Sequence, residues 1–271
     1  MPKIKSDKGS YHVESLERGL EVLETLARAR RPMKLTEIGS VLDMNYTSAT
    51  RMCATLCTLG YLRKDSQKHY HLTPRILTLG FAVLQGMSWR EVAEMRLKKL
   101  HDHIGETVNL GIMEGDEILY IVRLRQDKYL HFDLQVGSLL PLHCTSLGKA
   151  MLAFGRPGIV NPILRALEFK PLGPKTITDA QAFEADLSRI RKRGYALNDE
   201  ELTPGVLSVA CPIFDQAGEA LMAVNITVPK KRFSLSEVEK QFVPLLKTAT
   251  RELSNTFAGM QLTQEDIWQS Y

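Results

Sequence analysis

The apolar residues of the first 60 positions recur at helical spacing in three short runs, which predicts three short helices. The first run covers residues 13–30 and stops near Pro32. The second covers residues 35–42 and ends around Asp43. The third follows Asn45, a residue suited to cap a helix N-terminus. Its buried stripe consists of Ala49, Met52, Cys53 and Leu56.

The opposite face of the third helix carries no acidic residue. Thr47 and Arg51 are centred on it, Ser48 and Thr50 flank them, and Tyr46 lies at the N-terminal end. Short hydroxyl side chains allow close approach to a duplex, and an arginine reaches guanine edges or phosphates. A solvated surface helix usually mixes both signs of charge, so we interpret this helix as one that reads the major groove.

Residues 61–64 and 68–72 have the pattern of two short strands around a turn at residues 65–67, which predicts a hairpin. Its tip is basic, which suits phosphate contact, although any exposed hairpin can carry lysines. Three helices followed by a basic hairpin are typical of a winged helix-turn-helix. We assign DNA binding to Arg18, Thr36, Tyr46, Thr47, Ser48, Thr50, Arg51, Arg63 and Lys68.

The remainder of the chain begins with two helices and then changes to strands. A helix starting at Thr73-Pro74 connects the parts and could carry dimer contacts. Ser88 and Glu91 have capping-box spacing for the next helix, which ends at Gly105. We predict a two-domain protein: a mainly α winged helix-turn-helix over residues 1–73, a linker helix over 74–86, and an α/β effector-binding and oligomerisation domain over 87–271.

Strands and helices both occur in the predicted C-terminal domain. From Thr107 onward, strands are separated by turns at residues 114–116 and 216–218. Helical patterns interrupt the strands near residues 147–154, 180–193 and 235–257.

Two segments near the C-terminus, residues 206–214 and 221–228, alternate between an apolar face and a face of small and polar residues. The polar side chains are Ser208, Asn225 and Thr227. Small residues leave volume and a few polar groups orient a ligand, so this face suits a small-molecule pocket. The alternative is a sheet face open to water.

A third wall of this pocket is predicted at residues 140–149, where Thr145 and Ser146 stand just before a helix. A helix N-terminus favours a carboxylate. Lys149 is the nearest cation in this motif and lies one turn further on. We therefore expect a carboxylate to be held by backbone amides and neutral side chains.

Charge is distributed unevenly along this chain of 271 residues, which has 44% apolar and 24% charged residues and a net charge of +4. Residues 1–75 hold 13 Lys or Arg against 8 Asp or Glu, whereas residues 76–271 hold 22 against 23. A local basic excess suits contact with a polyanion.

No apolar stretch is long enough to span a membrane, so we expect a cytoplasmic protein. The four scattered cysteines suggest reduced thiols, and we expect no metal and no cofactor.

Two other classes of function compete with a regulator. An enzyme could use His143 and Cys144 as base and nucleophile, but adjacent residues on an extended strand point to opposite sides. A ligand-independent DNA-binding protein would not need about 190 residues with a polar cavity face beyond its DNA-binding unit.

Motifs along nearly the whole chain resemble the IclR family of bacterial regulators. They include SLERGLEVLETL (15–26), LTEIGSVLDM (35–44), ATLCTLGYLRKD (54–65), HLTPRILTLG (71–80), ETVNLGIMEGDEILYIVRL (106–124), LPLHCTSLGKAMLAF (140–154) and RGYALNDEELTPGVLSVACPIFDQAGEALMAVNIT (193–227). The segment LTPRILTLGFA is similar to the branch that regulates aromatic-acid catabolism by the β-ketoadipate route.

This resemblance implies a GAF-like sheet and a regulator of a catabolic operon that binds double-stranded operator DNA and a small-molecule effector, as a homodimer or homotetramer. The effector site that the resemblance implies comprises Tyr129, Phe132, Leu140, Ser146, Leu147, Asn198, Ser208, Asn225 and Thr227. We add Thr145, which stands just before the helix. The family often has an aspartate where Asn198 stands, which would make an anion easier to hold here. Effector, operator and sign of regulation stay open at this point.

Overall fold

A computed structural model describes residues 11–126 and 134–269. The chain forms two compact units that divide between Gly86 and Met87. Within the described ranges, every helix is too short or too polar to cross a membrane.

The N-terminal unit contains four helices and a small sheet. The helices are α1 (Glu14–Ala29), α2 (Leu35–Val41), α3 (Tyr46–Thr58) and α4 (Arg75–Gly86), and the strands are β1 (Met33–Lys34), β2 (Leu62–Lys64) and β3 (His69–Leu72). The Asn45 side chain accepts a hydrogen bond from the Ser48 amide at 2.8 Å, so the predicted cap of α3 is confirmed. α1 ends earlier than Pro32, because Arg30 adopts the left-handed conformation with φ of 51°.

A three-helix core supports the hairpin, which is the predicted wing. Its centre is formed by Val22, Ile38, Cys53, Leu62 and Tyr70, all buried. The sheet has the order β1-β3-β2 and is antiparallel, so the hairpin has a third strand that the sequence pattern did not predict. This short strand ties the segment between α1 and α2 to the first two residues of β3, at the end near the turn of the wing.

The C-terminal unit is a six-stranded antiparallel sheet between two layers of helices. The strands are β4 (Thr107–Glu114), β5 (Glu117–Leu124), β6 (Leu139–Pro141), β7 (Ala196–Asp199), β8 (Val206–Phe214) and β9 (Ala220–Pro229), in the order β6-β5-β4-β9-β8-β7. The helices are α5 (Ser88–Ile104), α6 (Ser146–Phe154), α7 (Pro157–Ala166), α8 (Ala180–Arg193), α9 (Leu235–Gly259) and α10 (Gln264–Gln269). α5 and α9 pack on the sheet, and α6 packs on it together with α8. This mixed α/β architecture agrees with the predicted GAF-like domain.

Some local expectations were wrong. Ser88 is already inside α5, whose N-cap is Met87, so the capping box predicted from Ser88 and Glu91 does not form. Helices α7 and α10 were not predicted, since α7 contains Pro162 and α10 is only six residues long. Gly105 ends α5 with φ of 67°, as the pattern predicted.

Candidate functional site

The recognition helix α3 presents an exposed face without an acidic group. Tyr46, Thr47, Thr50 and Arg51 are exposed, and α3 contains no Asp or Glu. The Thr50 hydroxyl donates to the Tyr46 carbonyl at 2.7 Å, which leaves its methyl group and an oxygen lone pair facing outward. Among the described residues, Arg51 has no ion-pair partner. Its guanidinium is thus available to a base edge or a phosphate.

Two other residues assigned to DNA binding lie outside α3. Arg18 donates to the Leu42 carbonyl and to the Glu21 carboxylate, both at 3.1 Å, so it holds α1 against the end of α2. Thr36 is exposed in the first turn of α2. The DNA contact of Arg18 stays a prediction, and the structure adds an internal role that the sequence did not suggest.

The wing tip is organised by Asp65. Its carboxylate accepts from the amides of Gln67 and His69 and lies 2.8 Å from His71 Nε2. The hydrogen bond from His71 and those from the two amides lower the pKa of Asp65 to about 2. The tight turn places Lys68 in the left-handed conformation, with its side chain exposed, and Arg63 is exposed on β2. Arg63 and Lys68 are therefore exposed cations of the hairpin, and Lys64 on β2 is a third.

The C-terminal unit contains a cavity of about 50 Å³ between the sheet and the N-terminus of α6. A single water molecule needs roughly 10–15 Å³ of such cavity volume, so the space suits a small polar ligand. Seven of the predicted effector residues line it: Leu140, Thr145, Ser146, Asn198, Ser208, Asn225 and Thr227. The sheet face they occupy is covered by α6, so the alternative of a face open to water is excluded.

The other three predicted residues have different positions. Tyr129 and Phe132 lie outside the described residues. Leu147 points into the apolar core, where its side chain is fully buried and lies close to Gly111, and it does not line the cavity. Helix periodicity explains this difference, since successive residues of α6 face different directions.

Polar side chains cross the sheet in two rows set by strand register. Directly paired residues of antiparallel strands project from the same face. The first row consists of Asn198, Ser208, Thr227 and Thr107. The second row consists of Ala210, Asn225, Asn109 and Arg123. Both rows contribute to the cavity, and Asn109, Thr107 and Arg123 are site residues that sequence reasoning missed.

Hydrogen bonds join four strands and α6 into one chain of side chains. Arg123 Nη1 donates to Asn109 Oδ1 at 2.8 Å, and Asn109 Nδ2 donates to Asn225 Oδ1 at 2.7 Å. Asn225 Nδ2 donates to Ser146 Oγ at 3.3 Å, and the hydroxyls of Ser146 and Ser208 lie 2.8 Å apart. Each group in this buried chain restricts the orientation of the next.

Lys149, the nearest cation in the motif of residues 140–149, does not line this cavity. Its ammonium group is buried, 3.0 Å from the carboxylate of Asp186 and 2.5 Å from that of Glu201. Arg123 is the cation of the cavity wall. We expected backbone amides and neutral side chains to hold a carboxylate, and Arg123 adds a cation to the wall of this cavity.

Two groups at the start of α6 are already occupied. The Thr145 hydroxyl accepts from the Gly148 amide at 3.1 Å, so that amide is capped. Asn198 Nδ2 donates to the Cys144 carbonyl at 2.5 Å, while Asn198 Oδ1 accepts from the Glu201 amide at 3.3 Å. Asn198 therefore braces β7 against the segment before α6.

His143 and Cys144 are not arranged as a base and a nucleophile. His143 is buried and its Nε2 lies 3.0 Å from the Lys170 carbonyl. Burial raises the pKa of the Cys144 thiol to about 12, which keeps the sulfur protonated near neutral pH.

The winged helix-turn-helix with its acid-free recognition face, joined to a domain with a polar small-molecule cavity, defines the class of DNA-binding transcriptional regulators. The chain belongs to the IclR family: the IclR helix-turn-helix domain matches residues 15–66, and the bacterial transcriptional regulator IclR C-terminal domain matches residues 81–255. The predicted family and the regulatory function are confirmed, and the enzyme alternative is excluded.

Named relatives cover most of the chain. The Pca regulon regulatory protein of Pseudomonas putida is 32% identical over 90% of this chain and 84% of its own length. The HTH-type transcriptional regulator BhcR of Paracoccus denitrificans is 35% identical over 89% of this chain and 86% of its own. An IclR homologue of Microbacterium hydrocarbonoxydans, solved in complex with 4-hydroxybenzoate, has a TM-score of 0.72 and 22% identity over 90% of this chain and 99% of that chain.

Proposed function

We propose that this regulator binds a small carboxylate effector in the cavity of the C-terminal unit, and that the effector changes the affinity of the N-terminal unit for its operator. The polar lining of the cavity carries this proposal, because seven of the residues predicted for the effector site meet there. The 4-hydroxybenzoate bound to a protein of the same fold, and the name of the Pca regulon relative, favour an organic acid of a catabolic pathway.

We further propose that α3 lies in the major groove of double-stranded DNA, with the wing on the flanking backbone. The acid-free face and the unpaired Arg51 support the first contact, and the exposed Arg63 and Lys68 support the second. On this proposal residues 1–73 bind DNA, residues 74–86 form the linker helix, and residues 87–271 bind the effector.

The protein acts as a dimer or a tetramer in this proposal. Leu16 and Leu20 of α1 are exposed, and so are Leu77 and Phe81 of α4. Contiguous apolar surface on a soluble unit marks an interaction site. One winged helix also covers too few base pairs for useful specificity, so two copies on a pseudo-palindromic operator are expected. A footprint with a single unrepeated half-site at saturation would count against this arrangement.

Operator affinity with and without ligand tests the central proposal. Fluorescence anisotropy on a footprinted operator is measured across a panel that includes benzoate and 4-hydroxybenzoate. A ligand that binds should change operator affinity by about 5-fold to 150-fold, and the operator should change ligand affinity by the same factor. If ligands bind the protein but operator affinity stays constant for all of them, the effector function is wrong.

A further inference from the structure

Arg123 combines a half-buried position with a buried, unused donor. It lies near the end of β5 and lines the cavity, where its Nη1 donates to Asn109. Its Nε atom is buried and has no hydrogen-bond partner in the described parts of the chain. Leaving a buried donor of a charged group unsatisfied costs free energy, and native proteins seldom do so without a functional reason.

The surroundings of Arg123 supply no counter-charge. Among the described lining residues, Arg123 is the single charged side chain, and the others are apolar, amide, hydroxyl, phenol and thiol groups. Burial raises the pKa of Tyr120, so the phenol stays neutral, as does the Cys144 thiol. Burial also lowers the pKa of the Arg123 guanidinium, which is the direction expected where no anion stabilises the charge. The contrast with Lys149, which has two carboxylates, is direct.

The orientation of the Arg123 guanidinium is set by the series of hydrogen-bonded side chains that runs from Asn109 to Ser208. Asn109 holds Nη1 and is itself held by Asn225, which in turn donates to Ser146. Nη1 is engaged by Asn109, whereas Nε, on the edge of the guanidinium formed by Nε and Nη2, has no hydrogen-bond partner among the described residues. That edge offers two parallel N–H donors, which match the two oxygens of a carboxylate.

We propose that Arg123 is the anion-binding residue of the effector site and that the ligand is a monocarboxylate, bound through the edge of the guanidinium formed by Nε and Nη2. This inference rests on the proposed effector function. A single cation compensates a single carboxylate, whereas a second carboxylate would be desolvated without a partner among the described lining residues. Asn109 is a positioning residue, since it acts on the ligand only through Arg123.

Calorimetric titration of the full-length protein tests the proposal with matched probes. Benzoate and propionate are compared with benzamide and propionamide, which have similar shapes but no charge, and with succinate, which carries two carboxylates. The acids should bind the unchanged protein and the amides should not. Propionate should bind more tightly than succinate.

Two variants separate the anion contact from folding. Arg123→Gln should weaken binding of the acids by about 10-fold or more, because a charge-assisted pair of hydrogen bonds is lost. Asn109→Asp retains Arg123 but places an isosteric acid beside it, which should occupy the guanidinium and also weaken acid binding. Arg165→Gln, which removes an exposed arginine of the same unit, is the matched charge control and should bind like the unchanged protein.

Several results would overturn the proposal. These are unchanged acid affinity in folded Arg123→Gln or Asn109→Asp, amides that bind as tightly as acids, or carboxylates that fail to bind at millimolar concentration. Tighter binding of succinate than of propionate would disprove a monocarboxylate ligand. The effector function itself fails separately, if acids bind through Arg123 and operator affinity does not change.

Discussion

The recognition helix and the effector cavity each present an arginine that lacks an acidic partner among the described residues, but the two arginines are held in opposite ways. Arg51 is exposed on α3, and no described residue restrains its guanidinium through an ion pair. Arg123 is half-buried, and a chain of amides and hydroxyls sets its direction. An exposed cation without an ion-pair partner suits the phosphate backbone of a polyanion, whereas an oriented, partly desolvated cation suits one small anion.

Lys149 sharpens this comparison, because it shows what a structural buried cation looks like. Lys149→Met would leave the buried carboxylate of Glu201 without its cation and that of Asp186 with Arg189 alone, with an expected loss of about 3–5 kcal/mol in the free energy of unfolding. Arg123→Gln should cost far less, since no carboxylate loses a partner. Urea denaturation of both variants measures the difference. Equal losses would remove the distinction between a paired and an unpaired cation.

Asn225→Leu tests whether the series of hydrogen-bonded side chains from Arg123 to Ser208 supports the ligand site. The change leaves Asn109 Nδ2 and Ser146 Oγ each without one buried partner, so we expect a loss of about 1–3 kcal/mol in the free energy of unfolding. The effector response should also be lost, while effector-free operator binding stays within a few-fold, because Asn225 belongs to the C-terminal unit. A variant that still responds fully would show that the chain does not support the ligand site.

The difference between the two arginines also explains which of them the sequence could predict. Arg51 lies on one helix, and helix periodicity with the Asn45 cap is enough to place it on the exposed face. Arg123 becomes a cavity residue only through the pairing of β5 with β4 and of β4 with β9. A polar Asn109 inside an otherwise apolar strand was the available signal. Strand order is a non-local property, so the alternation within β8 and β9 gave only half of the site.

Long-range pairing also explains why the partners of Lys149 could not be predicted from the sequence. Its partners Asp186 and Glu201 are 37 and 52 residues away in sequence, so nothing near Lys149 indicated that it was neutralised. The wing was easier to predict, since its strands are adjacent, but β1 was missed because a two-residue strand has no periodicity of its own. The fold class therefore follows from local patterns, while the charges of the cavity follow from topology.

Arg51→Ala tests the exposed arginine. Specific operator binding should weaken by about 1–3 kcal/mol if the guanidinium is bidentate to a guanine, and preference at that base pair should relax. Anisotropy with the operator and with random DNA of equal length measures the two affinities. Equal weakening on both DNAs would make Arg51 a phosphate contact, and the contrast with Arg123 would then concern only orientation.

Lys68→Ala has the smallest expected effect and examines the electrostatic side of the comparison. Lys68 is exposed at the wing tip, so its replacement by alanine removes a charge without disturbing the core. Its backbone has φ of 66°, a conformation in which lysine and alanine are strained alike. If Lys68 neutralises one phosphate, the slope of log affinity against log salt should fall by about 0.9 per protomer, with specific and random DNA affected alike. Affinities measured over a series of salt concentrations give the slope directly. Ser66→Ala, at the same tip but without charge, should leave the slope unchanged. If Lys68→Ala leaves it unchanged too, the wing does not contact the phosphate backbone, and the N-terminal unit binds DNA through α3 without it.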